Sequence, residues 1–109
     1  MNQITTQYVT ENGACYEQYV ITDPAAKTSL TITPERGGMI TGFTLDGDEY
    51  IWTRRPNFSE CNRPRFGIPV LFPNCGKPDN GVHIFNGQAY PMEIHGMADL
   101  CPWEVESVG

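Results

Sequence analysis

The sequence predicts an all-β protein built from antiparallel strands and hairpins. Nine prolines and eleven glycines are spread over 109 residues, and this density of turn-forming residues disfavours long helices. Several short segments alternate apolar and polar side chains with the period of a half-buried strand. Because 39% of the residues are hydrophobic and 11% aromatic, the chain has enough apolar material for a core. We therefore treat residues 1–109 as a single unit.

Two β-rich runs open the predicted sheet. Residues 16–22 and 29–33 favour strands, and the turn-like residues 23–26 separate them. In the second run Leu30 and Ile32 face one way, and the serine and threonines between them face the other. This pattern is typical of a half-buried strand in an antiparallel meander.

The meander continues after the break at residues 34–38. Residues 39–45 read as a strand, and regular alternation places Met39, Phe43 and Leu45 on one face. An acidic, glycine-containing turn then leads into a further short strand at residues 50–52. This first half contains no residue that the sequence pattern indicates as a catalytic or binding candidate.

The middle of the chain differs in composition. Four of the seven positive charges fall within twelve residues: Arg54, Arg55, Arg63 and Arg65. They belong either to a solvated loop or to a site for an anion or polyhydroxyl ligand, since guanidinium presents a planar fork of donors. Residues 66–76 follow as an apolar stretch with two prolines, and we expect residues 68–72 to be core. Because proline cannot donate to a ladder, this segment predicts an edge or crossing piece.

Two further elements are predicted near the C-terminus. Asn86-Gly87 lies between the β-rich residues 82–85 and 88–92, which is typical of a hairpin with a type I′ turn. Residues 103–108 alternate again and predict one more strand.

Charge and cysteine usage exclude several classes of function. A formal net charge of -6 argues against nucleic acid as a partner. No apolar run approaches the roughly 18 residues of a membrane span, and no secretion signal is visible. The four cysteines form no CxxC pair and stand at no zinc-finger distance from the two histidines, so we expect neither a metal nor another cofactor. Free thiols in a cytoplasmic protein are the favoured interpretation; two disulfides in a secreted protein are the alternative.

His95 is the main candidate for chemistry, because histidine is the side chain that changes charge near neutral pH. If the preceding strand continues to His95, Glu93 lies on the same face and its carboxylate approaches the imidazole. A surface hydrogen bond at a strand end is the alternative interpretation. His83 is expected at a rim. Cys75 is a weak candidate nucleophile, since the sequence places no base beside it.

Taken in order, these motifs resemble the aldose 1-epimerase (galactose mutarotase-like) family. Residues 65–76, RFGIPVLFPNCG, are similar to the family pattern Arg-Gly-Gly-x-Pro-x-x-Phe-Pro-x-x-Gly. Residues 95–98, HGMA, followed by Trp103, are similar to the family's His-Gly-Phe-Ala-Arg stretch and its tryptophan. The strand-turn-strand pattern of residues 44–52 and the hairpin at 82–92 also fit. The resemblance covers essentially the whole chain.

The resemblance implies a β-supersandwich and an isomerase that interconverts the α and β anomers of an aldose. In the family a carboxylate takes the proton of the anomeric hydroxyl, and an imidazole protonates the ring oxygen. His95 corresponds to the first active-site histidine. Arg65 falls where the family contacts the sugar or its phosphate, and Asn74 is a candidate floor residue of the same pocket.

Three departures from the family pattern qualify that expectation. Phe66 replaces a family glycine, and Asp99 replaces an arginine, which reverses a charge beside the expected pocket. No residue matches the family's second histidine or its glutamate base. The chain therefore resembles an N-terminal portion, and we expect it to be nearly inactive alone. The alternatives are a non-catalytic carbohydrate-binding module and a structural remnant that self-associates through open sheet edges.

Overall fold

A computed structural model describes residues 2–11, 13–52 and 66–109. The predicted all-β class with antiparallel strands is confirmed. Five strands form one sheet in chain order, and two more form a separate hairpin. The strands are β1 (Gln3–Glu11), β2 (Ala14–Asp23), β3 (Thr28–Thr33), β4 (Met39–Leu45), β5 (Asp48–Glu49), β6 (Val82–Phe85) and β7 (Gln88–Pro91). Short 3-10 turns cover Pro34–Arg36, Asp79–Gly81 and Ala98–Leu100. The described residues contain no helix with the length and apolar character needed to cross a membrane.

Local turns account for the order of the five-stranded sheet. The predicted strands at 16–22, 29–33 and 39–45 are all present, and β1 is an additional strand that pairs with β2 along its whole length. The turn between β2 and β3 is held by the Asp23 carboxylate, which accepts hydrogen bonds from the backbone N–H of Ala25 at 3.0 Å and Ala26 at 3.2 Å. Such an Asx turn is a local device that aspartate supplies by itself.

A bulge in β4 corrects the predicted face of Met39. Leu30 pairs with Phe43, and Thr33 pairs with Met39, but the register shifts by one residue between these pairs at Thr41. The extra residue places Met39 on the face of Thr33, opposite Phe43. Strict alternation put Met39 and Phe43 together, and that prediction was wrong because a bulge adds one residue to one strand.

The Met39 face of the sheet carries both the small core and a polar network. Met39 and Phe66 are buried, and Val9 and Tyr16 pack against them. Beside them the Gln18 side chain, 2% exposed, donates to Thr33 Oγ1 at 3.0 Å. Gln18 in turn accepts from Gln7 Nε2 at 2.9 Å, and Thr33 bonds to Thr41 at 3.0 Å. Because the partners of these buried polar groups come from β1, β2, β3 and β4, the network fixes the register of four strands.

The segment that follows Phe66 crosses from the sheet to the hairpin, as predicted. Ile68 forms one antiparallel bridge with Ile40, with hydrogen bonds of 3.0 and 2.8 Å in the two directions. The expectation that residues 68–72 are core was wrong: Ile68 is 48% and Phe72 64% exposed. The prolines stop the segment from joining a ladder, and so it lies across the surface of the described residues.

The two C-terminal predictions have opposite outcomes. The hairpin is confirmed, with Asn86 and Gly87 both at positive φ (51° and 76°), as a type I′ turn requires. The strand predicted at 103–108 is absent, since these residues pair with no strand of the described part of the chain. The backbone N–H of Trp103 donates to the Pro34 carbonyl at 2.9 Å, and the indole N–H donates to the Ala98 carbonyl at 3.0 Å.

Candidate functional site

The predicted site residues lie where two loops meet, and we call residues 72–76 and 92–98 the His95 loop pair. The Phe72 carbonyl accepts hydrogen bonds from the backbone N–H groups of Met97 at 2.9 Å and Ala98 at 3.2 Å. At the other end, the backbone N–H of His95 donates to the Gly76 carbonyl at 3.0 Å. Backbone hydrogen bonds therefore fix the two loops at both ends.

Gly96 sets how closely the loops approach. It is buried, forms a parallel bridge with Phe72, and has a φ of 74°. A Cβ at this position would overlap the Phe72 carbonyl group, with the carbonyl carbon only 2.6 Å away. Only glycine satisfies both the left-handed backbone and this contact.

His95 has an unusual backbone and a restrained ring. Its φ is 68°, in the left-handed region that few residues other than glycine adopt. Its Nδ1 lies 2.8 Å from the Cys75 carbonyl oxygen. Because a carbonyl only accepts, Nδ1 carries the proton of this hydrogen bond. The neutral ring then keeps its lone pair at Nε2, and this nitrogen is the one that can exchange a proton with a ligand.

Asn74 joins the same two loops through its side-chain amide. Its side-chain amide donates to the carbonyls of Gly76 and Glu93, the latter at 3.3 Å. The Gly76 carbonyl thus accepts from both Asn74 and the His95 backbone. The Asn74 Oδ1 atom is buried and has no hydrogen-bond partner among the described residues. Sequence reasoning named Asn74 and His95, and the structure brings them into one hydrogen-bonded cluster.

Glu93 does not lie as the sequence predicted. β7 ends at Pro91, and the chain then turns, so that the strand does not extend to His95. The backbone N–H of Gly96 donates to the Glu93 carbonyl at 3.0 Å, which closes a tight turn around His95. The proposed same-face pairing of Glu93 and His95 was wrong, because a left-handed residue interrupts the alternation on which it depended.

The remaining candidates divide into those the structure places and one it does not describe. Arg65 lies outside the described residues, together with the other three arginines of its cluster, so its sharing of a pocket with His95 stays a prediction. His83 is exposed on β6, opposite Tyr90. Cys75 is exposed and engages His95 through its carbonyl oxygen, not through its thiol. Cys15, Cys75 and Cys101 are unpaired, and the described residues contain no group of three or more metal-binding side chains.

Sequence reasoning missed the part played by the backbone. The carbonyls of Cys75 and Gly76 orient His95, and the Phe72 carbonyl holds the next turn. A carbonyl carries no signature in the sequence. The available signal was the short Asn-Cys-Gly run, whose small residues let a neighbouring chain approach closely.

Comparison with known proteins bears on the fold and not on the activity. No protein-family model matches the chain. The chain is similar to the crystal structure of the Slr1438 protein from Synechocystis sp. PCC 6803, with a TM-score of 0.74 and 33% sequence identity. The match covers 83% of this chain and 32% of that one. The chain therefore spans about a third of the length of the structure it matches.

Proposed function

We propose that this chain forms part of an aldose 1-epimerase-like protein, an isomerase that interconverts the α and β anomers of a sugar. The observation that carries the proposal is the orientation of His95. Its Nδ1–H is committed to the Cys75 carbonyl, which leaves Nε2 as the single exchanging nitrogen. The resemblance of residues 65–76 and 95–98 to the family supplies the substrate class.

The chemistry that suits this imidazole is proton transfer to the ring oxygen of a pyranose. When His95 is protonated, its Nε2–H donates to that oxygen while the bond from the anomeric carbon breaks. A base removes the proton of the anomeric hydroxyl in the same step, and an aldehyde forms. Rotation of the aldehyde and the reverse steps then give the other anomer. The Cys75 carbonyl stabilises the imidazolium because it accepts from the opposite ring nitrogen.

Asn74 suits a positioning part in this scheme. Its side-chain amide donates hydrogen bonds to the carbonyls of Gly76 and Glu93. Its buried Oδ1 accepts no hydrogen bond from the described residues. We assign the base to no described residue, since Glu93, the carboxylate nearest His95 in the sequence, lies beyond the end of β7 and shares no strand face with His95. We therefore propose that activity requires further polypeptide, a proposal supported by the 32% coverage of the matched structure.

Polarimetry on freshly dissolved glucose and galactose tests the proposal. The 109-residue chain alone should not accelerate mutarotation beyond the buffer rate. A chimera that joins this chain to the remaining part of the Synechocystis protein should accelerate it. In the chimera His95→Ala should lower the rate on the order of 10²–10⁴-fold, which is typical of a positioned proton donor.

Two controls make the result decisive. His83→Ala in the chimera removes an exposed histidine outside the His95 loop pair and should leave the rate unchanged. Fast mutarotation by the 109-residue chain, abolished by His95→Ala, would place the whole catalytic machinery in this chain and contradict the proposed division. Sugar binding without acceleration by any version would favour the carbohydrate-binding module.

A further inference from the structure

A cavity separate from the His95 loop pair lies where β2, the Pro34–Arg36 turn and the C-terminal segment meet. Its volume is about 790 Å³, and none of its lining residues belongs to residues 72–98. Small-molecule sites commonly measure roughly 300–1,000 Å³. The lining residues that bear on its chemistry are three aromatic residues and three glutamates: Tyr16, Tyr19, Trp103, Glu17, Glu35 and Glu104.

Trp103 gives the cavity a fixed aromatic wall. Both of its N–H groups are bound, the backbone one to Pro34 and the indole one to Ala98. The ring also rests on the backbone of Gly38, where an added Cβ would lie only 2.7 Å from it. Trp103 is 41% exposed and belongs to the cavity lining. A ring that is already held in place loses little further freedom when a ligand stacks on it.

The charged residues that line the cavity indicate the sign of the charge on its ligand. Among the described lining residues there are three glutamates and one arginine, Arg36, so this part of the cavity carries net negative charge within a protein of net charge -6. Desolvation, followed by the nearby Glu17 carboxylate, raises the pKa of Tyr19 above its ordinary value. The excess of carboxylates favours positive charge, and so does the part of the Tyr19 pKa shift that Glu17 causes. Aromatic faces attract cations through their quadrupole, and most strongly when the face is tryptophan.

We propose that this cavity binds an organic cation, an ammonium group carried on a small apolar body. The Trp103 face would contact the cation, and Tyr19 is the second aromatic residue of the lining available to it. Glu35 and Glu104 would supply charge at its rim, since both are exposed. A bare metal ion is disfavoured, because no three metal-binding side chains converge among the described residues. The proposal does not depend on mutarotase activity.

Tryptophan fluorescence provides a direct test. The chain has two tryptophans, and Trp52→Phe leaves Trp103 as the single fluorophore. This variant is titrated with choline and, in parallel, with the neutral alcohol in which a tert-butyl group replaces the trimethylammonium group. The two probes have the same shape and differ in charge. Choline should bind on the order of tenfold more tightly than the alcohol. Added salt should reduce this ratio of the two affinities.

Matched variants locate the binding. The double variant Glu35→Gln, Glu104→Gln should weaken choline binding severalfold, whereas Glu106→Gln, a carboxylate of the same segment outside the cavity lining, should not. Trp103→Leu should abolish choline binding, measured by calorimetry. Circular dichroism shows whether this variant is folded. If it is not folded, the glutamine variants alone test whether the cavity binds choline. Equal binding of the two probes, no binding of choline, tighter binding of glucose than of choline, or an equal loss in Glu106→Gln would each overturn the proposal.

Discussion

The five-stranded sheet and the His95 loop pair are assembled by opposite means. In the sheet each strand pairs with its neighbour in the chain, and the strand order is the sequence order. In the loop pair, single carbonyls receive donors from residues about twenty positions away, as Cys75 does from His95. The sheet thus tolerates changes at many exposed positions, because its strands share many ladder hydrogen bonds. The loop pair depends on a few contacts that have no substitutes.

The sharpest way to break the loop pair is Gly96→Ala. The new Cβ overlaps the Phe72 carbonyl, and alanine does not readily adopt the φ of 74°. We expect a loss of about 3 kcal/mol or more in unfolding free energy, or selective loss of structure around His95. Urea denaturation and the NMR signals of the His95 ring measure the two outcomes.

Gly87→Ala is the matched control for that substitution. Gly87 has nearly the same φ, 76°, but no atom lies within 4 Å of the position of its added Cβ. Here only the backbone preference is lost, at a cost of about 1 kcal/mol. If the two alanine variants were equally destabilised, the close approach at Phe72 would have no energetic importance.

In the sheet, Thr33→Val is the most disruptive small change. The Thr33 side chain is fully buried, and its hydroxyl lies 3.0 Å from both Gln18 Nε2 and Thr41 Oγ1. Valine has the same shape but leaves the buried Gln18 amide without this acceptor, at a cost of about 2 kcal/mol in chemical denaturation. Ser29→Ala removes a hydroxyl from the part-buried pair with Thr44 and should cost about half as much. Equal costs would show that burial does not govern this network.

A smaller effect distinguishes the backbone of His95 from its side chain. Asparagine tolerates left-handed φ better than most residues, whereas valine is among the least tolerant. At a φ of 68°, His95→Asn should therefore be about 1 kcal/mol less destabilising than His95→Val in denaturant titrations. The reverse order would indicate that the position relaxes its backbone when the imidazole is removed.

The smallest effect on folding stability is expected at the free edge of the sheet. β1 stands at the end of the strand order, and Glu11 is the one charged residue in its nine. Such an edge invites pairing with a second copy, and we expect the isolated chain to dimerise or aggregate. Thr6→Lys should shift sedimentation toward monomer and change unfolding free energy by less than about 0.5 kcal/mol.

A lysine placed elsewhere tests whether the edge itself is responsible. Ala25→Lys adds the same charge to the exposed turn between β2 and β3, away from any sheet edge, and should leave association unchanged. A clean monomer at high concentration in the parent chain would contradict the expectation of self-association.

The parts of the structure that were predicted from sequence are those decided by neighbouring residues. Asp23 forms its own turn, Asn86-Gly87 specifies its hairpin, and the alternation of Leu30 and Ile32 was read correctly. β1 was overlooked because its residues are mostly polar and alternate weakly, and its pairing with β2 supplies the order that its own pattern lacks.

The predictions that were wrong concern positions whose conformation depends on hydrogen bonds to backbone groups far away in the sequence. The periodicity of a sequence does not reveal that the Pro34 carbonyl accepts a hydrogen bond from the Trp103 backbone. The alternation of residues 103–108 therefore predicts a strand that does not form. In the same way, Asn74 and His95 were identified by motif, but the carbonyl of Gly76 that joins them could not be. The place of Arg65 relative to His95 stays a prediction.

The bulge at Thr41 has a consequence for which changes β4 can accept. The single extra residue interrupts the alternation of side chains along β4. Met39, before it, lies on the sheet face that packs against Phe66, and Phe43, after it, lies on the opposite face. Deletion of Thr41 would remove the extra residue and let Thr31–Gly42, Ile32–Ile40 and Thr33–Met39 pair without a break in register. Met39 would keep its place opposite Thr33 and beside Phe66, whereas the hydrogen bond between Thr41 and Thr33 would be lost. The extra residue therefore contributes a side chain to the buried polar network, and a strand one residue shorter would place Met39 on the same face.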